Sequence, residues 1–163
     1  MATIPQRMRV CAADMINIML RNLHDGLIRA VLTLDGYTDA ERLRRALRLS
    51  LDAVPVAGCR LVEGRGRPYY QRLTAAELDA AAREGGPLLE VIEVADHAQA
   101  DAALARFALA PFDPREGPLV HSALIRGQHD VFCFKPHHLL GDGLGTLDYL
   151  QQLAQIYAAL ERD

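Results

Sequence analysis

VFCFKPHHLLGDGLGTLDYL, residues Val131–Leu150, begins as an alternating strand and ends as an apolar helix, so His137, His138 and Asp142 fall at a strand-to-helix junction. At such junctions a rigid scaffold holds reactive groups out toward solvent. Side chains alternate across a strand, so adjacent His137 and His138 are predicted to point to opposite faces, and only one can serve a given pocket. That disfavours a zinc pair, whose side chains must converge, and no Cys-x2-Cys or His-x3-His spacing occurs in the chain. One imidazole remains as a general base, and the ordinary imidazole pKa of about 6.5 suits proton transfer near neutrality. Gly141 and Gly143 bracket Asp142; they are expected to let the backbone turn sharply and to keep bulk away from whatever approaches the imidazole. Backbone N–H groups of a helix starting near Gly143 are placed to point at the same spot and to hold a developing oxyanion.

Working outward, Leu119–Ile125 and Val131–His137 flank Gly127-Gln128-His129-Asp130, a hairpin signal. The final helix, from about Gly143 to Leu160, is expected to turn Leu147, Leu150, Leu153, Ala154, Tyr157 and Leu160 toward the sheet. At the other end of the chain, Ile16, Met19, Leu20 and Leu23 mark one face of a helix over Ala12–Leu23, predicted to lie on the sheet. Leu27–Asp35 reads as a strand. Thr38-Asp39-Ala40-Glu41 is predicted to be a capping box with Thr38 as the cap. The helix behind it, to about Ala53, presents Leu43, Ala46, Leu47 and Leu51 inward, with Arg42, Arg44, Arg45 and Arg48 mostly off that face. Those arginines form either a phosphate-binding surface or a solvated face, and the solvated face is the simpler reading.

Cys59–Glu63 and Arg67–Leu73 read as two strands around Gly64-Arg65-Gly66, with Tyr69 and Tyr70 on opposite faces. Thr74-Ala75-Ala76-Glu77 is a second capping box, and Gly85-Gly86-Pro87 stops its helix. Leu88–Val94 is a strand. Asp96 then caps a helix whose apolar face is Ala103, Leu104, Phe107 and Ala108, with His97 at the surface. Strands alternating with capped helices, plus one antiparallel hairpin, give a mixed α/β domain.

The 163 residues suit one core of ordinary size. Half are hydrophobic and 24% charged, and the net charge of −3 gives no general attraction to nucleic acid. No apolar run is long enough for a membrane span, and the start, MATIPQRMR, lacks the apolar block of a secretory signal, so a cytoplasmic location is expected. Cys11, Cys59 and Cys133 are odd in number and widely spaced, which suits buried reduced thiols. Cys133 is read as a buried apolar thiol rather than a nucleophile beside His138.

His137 to Gly143 has the form His-His-x-x-x-Asp-Gly, and Phe112–Leu119 reads FDPREGPL. On these two segments, and on the order of strand, turn and strand between them, the chain from about Ala12 onward resembles a superfamily. Its members are chloramphenicol acetyltransferases, nonribosomal peptide condensation domains, polyketide-associated acyltransferases and wax ester synthases. The resemblance implies a single chloramphenicol acetyltransferase-like lobe, a mixed sheet covered by helices, filling residues 1–163 as the N-terminal lobe with the C-terminal lobe absent. Family enzymes have two lobes and more than twice this length. The residues Leu144-Gly145-Thr146 and Ala12-Ala13-Asp14 look nearer the wax ester synthase and polyketide-associated types than the peptide-forming ones.

The resemblance also implies an activity: acyl transfer from a phosphopantetheine or coenzyme A thioester to a hydroxyl or amine, without a covalent acyl-enzyme. His138 would be the base and His137 structural, with His137 and Gly141 at the edge of the substrate site. Asp142 would hold the loop by pairing with an arginine, either Arg60 or, equally, a partner in another part of the fold, and Gly143 would admit substrate and offer its N–H. No bound cofactor or metal is expected. The expected partners are the missing lobe or a second copy of the chain, and an acyl or peptidyl carrier protein. A non-catalytic docking or scaffold lobe is the alternative.

Overall fold

A computed structural model describes residues 4–161. Residues 1–3, part of the stretch that lacks a secretory block, and 162–163, at the end of the expected lobe, lie outside the described residues. The elements run β1 (Arg7–Arg9), α1 (Ala12–Met19), β2 (Ala30–Leu34), α2 (Ala40–Ala53), β3 (Cys59–Val62), β4 (Tyr69–Arg72), α3 (Ala75–Ala81), β5 (Glu90–Glu93), α4 (His97–Leu109), β6 (Val120–Arg126), β7 (Asp130–Pro136) and α5 (Gly143–Ala159). A 3-10 turn at Pro55–Gly58 joins α2 to β3.

The strands form two sheets, β2-β7-β6-β5 and β1-β4-β3. In the larger sheet only the β5–β6 pairing is parallel, and the hairpin register pairs Val120 with Pro136 and Arg126 with Asp130. Alternation along β7 sends Phe132 and Phe134 to one face, where they meet Leu47 and Leu51 of α2 and Tyr149 and Leu153 of α5. Cys133 goes to the other face, against Phe107 of α4. The sheet is thus covered by helices on both sides, as the α/β reading requires. Leu47 and Leu51 are fully buried, and each such leucine contributes about 1.5–3 kcal/mol of apolar burial. Ser50 and Tyr149 share a 2.6 Å hydrogen bond that joins α2 to α5 inside this core. A smaller cluster, Cys59, Leu61, Tyr70, Leu119 and Leu139, ties the small sheet to the signature loop.

Several expectations are met residue by residue. Thr74 and Glu77 form the reciprocal capping box, Asp96 caps α4, and Tyr70 is buried while Tyr69 is not. Others are corrected. The cap of α2 is Asp39, whose carboxylate accepts from the Arg42 N–H at 3.0 Å; the Thr38 N–H is instead taken by buried Asp130 at 2.5 Å. Apart from exposed Arg45, the α2 arginines are not a free basic surface. Arg44 is buried, donating to the Leu89 and Arg83 carbonyls, Arg48 pairs with Asp52 and Asp79, and Arg42 pairs with Glu161 and stacks on Tyr157. Cys59 and Cys133 are buried, but Cys11 is exposed at the cap of α1.

The largest departure concerns which way two helices face. α1 ends at Met19, and its predicted inward face looks outward: Ile16 is 58%, Met19 76% and Leu23 80% exposed. On α5, Leu150, Leu153, Tyr157 and Leu160 pack inward as expected, joined by Tyr149 and Ile156. Leu147 and Ala154 do not face the sheet; Leu147 is 61% exposed and Leu144 beside it 73%. Helical period fixes which side chains share a face, not whether this lobe supplies the cover. No helix among the described residues is long and apolar enough to cross a membrane.

Candidate active site

The histidine pair leaves β7 held from two sides. The His137 N–H donates to the Leu119 carbonyl at 2.8 Å, continuing the β6 ladder, and the His138 N–H donates to the Gly26 carbonyl at 2.7 Å. Consecutive amides thus point to different neighbours, and consecutive side chains enter different depressions. His137 lines a cavity of about 450 Å³ with Phe112, Asp113, Arg21 and Glu63. His138 lines a groove of about 570 Å³ with Asp14, Tyr70, Asp142 and Gly141. Asn17 and Leu139 border both, forming the partition between them.

His137 is buried and held through one ring nitrogen. Its Nδ1 accepts from the Leu139 N–H at 3.1 Å, and its ring meets Phe112 edge-on. Burial, then the neighbouring His138, pushes its pKa down to about 4, so the ring is neutral near pH 7. Its closest constraint is Gly26, whose backbone adopts φ +66°; a Cβ there would come within 2.9 Å of the imidazole. Nothing in the motif itself announces this glycine; the only cue is its place after His24 and Asp25, at the end of the predicted first helix.

His138 is half-buried, with its ring on the groove surface. The wall beside it is built by Tyr70. The Tyr70 hydroxyl lies 2.8 Å from a carboxylate oxygen of Asp14 on α1 and 3.2 Å from the Leu139 carbonyl, one residue after His138. Burial, and then Asp14, raises the phenol above its ordinary pKa, so it remains a donor. Alternation marks one of the two tyrosines as core but does not show that it braces the signature loop.

Asp142 caps α5: its Oδ1 accepts from the Gly145 N–H at 2.9 Å, and its carbonyl accepts from the Thr146 hydroxyl at 2.9 Å. The arginine candidate Arg60 is engaged elsewhere. Among the described residues no arginine pairs with Asp142, and Arg60 pairs with Glu77 at 3.2 Å. Capping leaves the Gly143 and Leu144 N–H groups as first-turn donors with no intrahelical acceptor, the arrangement that favours an anion. Neither Gly141 nor Gly143 has positive φ, so the sharp turn does not depend on glycine conformations. The space argument fits Gly143 better: it is exposed, and a Cβ there would meet nothing within 4 Å. The sequence-predicted residues His138, Gly141 and Asp142 therefore share one groove, with Gly143 opening the helix beside it, while His137 serves the cavity behind the partition.

The Condensation domain family profile matches residues 15–163. Two curated relatives match in part, both of them subunits of the linear gramicidin synthase of Brevibacillus parabrevis. One is 38% identical over 58 residues, 34% of this chain. The other is 41% identical over 54 residues, 32% of this chain, and the match covers 1% of either subunit. Among solved structures, the first condensation domain of the calcium-dependent antibiotic synthetase, in complex with a substrate analogue, superposes with TM-score 0.81 at 24% identity. That match covers 98% of this chain and 40% of the other. A variant of the starter condensation domain of rhizomide synthetase, in complex with C8-CoA, gives TM-score 0.77 at 18% identity, covering 95% of this chain and 36% of its own. These identities speak for the fold alone; membership rests on the profile, which spans nearly the whole chain. With its fold matched end to end and its sequence matched from residue 15 to 163, the chain belongs to the condensation domain family.

Proposed function

We propose that this chain is one lobe of a two-lobed acyltransferase of condensation type. In this reading His138 takes the proton from an acceptor hydroxyl or amine as that group attacks the carbonyl of a phosphopantetheine or coenzyme A thioester. The new carbon–heteroatom bond forms, the carbon–sulfur bond breaks, and the thiol leaves with the proton carried by the imidazole; no acyl-enzyme is needed. The developing oxyanion would lie toward the free N–H groups at the start of α5. The observation that carries the reading is the division of labour in the pair: His137 is buried and bonded, and His138 faces an open groove.

That groove is open to solvent on its outer side. An open base has neither the positioning nor the water exclusion that efficient acyl transfer needs. The outward apolar residues of α1 and of the first turns of α5 support a covering second lobe, supplied by the same polypeptide, by a second copy or by another chain. A carrier protein is the proposed bearer of the thioester. For the acceptor, Leu144-Gly145-Thr146 and Ala12-Ala13-Asp14 favour a hydroxyl, as in the wax ester synthase and polyketide-associated types, whereas the gramicidin synthase matches favour an amine.

The test is acyl transfer by the protein in its full-length context, with matched amine and hydroxyl acceptors. His138→Ala is expected to slow turnover by roughly 10²–10⁴-fold. Unchanged turnover would remove His138 from the chemistry and favour the second reading, a docking lobe that binds a carrier or partner without transferring anything.

A further inference from the structure

The outer face of the small sheet carries positive charge that no ion pair neutralises among the described residues. β1 pairs with β4 so that Arg9 lies opposite Tyr69 and Arg7 opposite Gln71, and the Arg7 guanidinium sits 4.8 Å over the Tyr69 ring. Beside them is a groove of about 680 Å³, floored by Val10, Met15, Pro68 and Tyr69 and rimmed by Arg9 and Arg67. Among the described residues no carboxylate lies within ion-pair distance of Arg7, Arg9 or Arg67, whereas Arg42, Arg44, Arg48 and Arg60 all have acidic partners. On a chain of net charge −3, an unneutralised arginine cluster runs against the overall sign. Arg9 also lines the His138 groove, so the two depressions meet at its side chain.

An apolar floor under a cationic rim suits an uncharged arm that ends in a phosphate, and guanidinium groups bind phosphate through paired hydrogen bonds. Resting on the acyl-transfer reading above, we infer that Arg9 and Arg67 bind the phosphate of the pantetheine arm that carries the thioester toward His138. This moves the phosphate-binding role considered for the α2 arginines to the small sheet. The same phosphate occurs in coenzyme A and in a carrier protein's prosthetic group.

The full chain would be titrated with 4′-phosphopantetheine, pantetheine and coenzyme A by calorimetry. Phosphopantetheine is expected to bind at least tenfold more tightly than pantetheine, and less tightly as salt rises. Arg9→Ala and Arg67→Ala, both at exposed positions, should erase that tenfold preference, and Arg45→Ala on the exposed side of α2 should not. Arg67→Gln is a milder second variant with the same expectation. Tighter binding of coenzyme A than of phosphopantetheine identifies the free thioester as the source; displacement by a phosphopantetheinylated carrier but not by its unmodified form identifies the carrier. Equal binding of phosphopantetheine and pantetheine, or a preference that survives both arginine variants, overturns the inference. His138→Ala separates it from the acyl-transfer reading: phosphate binding should persist in that variant whatever happens to turnover.

Discussion

The hydroxyl of Tyr70 bridges α1 and the signature loop, 2.8 Å from the Asp14 carboxylate and 3.2 Å from the carbonyl of Leu139. A phenol has one proton to give, so the shorter, charge-assisted bond to Asp14 is the stronger and the loop carbonyl takes the weaker share. Tyr70→Phe keeps the buried ring and removes only this link. It is expected to lower stability by about 1–2 kcal/mol. Chemical denaturation of the variant measures it, and an unchanged midpoint would show that the bridge holds nothing together.

Gly26 and Gly36 make a matched pair. Both have positive φ, +66° and +93°, but a Cβ on Gly26 meets the His137 ring at 2.9 Å and one on Gly36 meets nothing within 4 Å. Gly36→Ala should cost only the backbone strain, about 1 kcal/mol. Gly26→Ala adds a clash with a buried imidazole held at Nδ1 and should cost about 2–4 kcal/mol. Equal losses in the two variants would show that the histidine ring moves aside freely.

Asp142 is a cap rather than half of an ion pair, and the two roles respond differently to substitution. Asparagine caps a helix about as well as aspartate, so Asp142→Asn should leave stability nearly unchanged while Asp142→Ala costs about 1 kcal/mol. A charge-dependent partner would make the two variants equally damaging. Thermal melts of both decide it.

His121 and His137 titrate in the same direction. Burial pushes each down to about 4 from 6.5, with nearby Lys135 adding to the effect at His121. The unfolded chain therefore binds protons that the folded chain refuses, and stability rises with pH across this window. It should be complete above about pH 6.5 and fall as the pH drops toward 4, by up to ~3 kcal/mol for each histidine. His121 stacks on Phe112 at 4.0 Å. His121→Phe preserves that stack and should remove roughly half of the slope, read from melting temperature against pH.

The outward leucines give a prediction about the proposed second lobe. Leu23→Lys replaces an 80% exposed side chain and should change the stability of this lobe by less than about 0.5 kcal/mol. Where the proposed second lobe covers this surface, the same change should weaken turnover, because a lysine buried there lacks a partner. Wild-type turnover in the two-lobed protein would mean that the turn after α1 stays in water.

Local chemistry makes much of the lobe readable in advance. The capping box at Thr74, the cap at Asp96, the hairpin around Gly127 and the buried face of α2 all depend on neighbours a few residues away, and all appear where their signals place them. The misreadings share one cause: their deciding partner is distant in sequence. Lys135 is 2% exposed on a central strand, donating to the carbonyls of Phe107 and Ala110 at the end of α4, and nothing near Lys135 signals that. The reciprocal bond of a Thr38–Glu41 capping box is pre-empted because the Thr38 N–H donates to Asp130, 92 positions later. The site divides the same way. The alternation of His137 and His138 is legible from two adjacent letters, whereas Tyr70, Gly26 and the true partner of Arg60 require the fold.

The two amides of the histidine pair are fastened left and right, one to Leu119 and the other to Gly26. The aim of the imidazole at 138 therefore also rests on the bend at His24-Asp25-Gly26, more than a hundred positions upstream. Lengthening that bend by a single residue would misdirect the ring while leaving every letter from His137 to Gly143 intact.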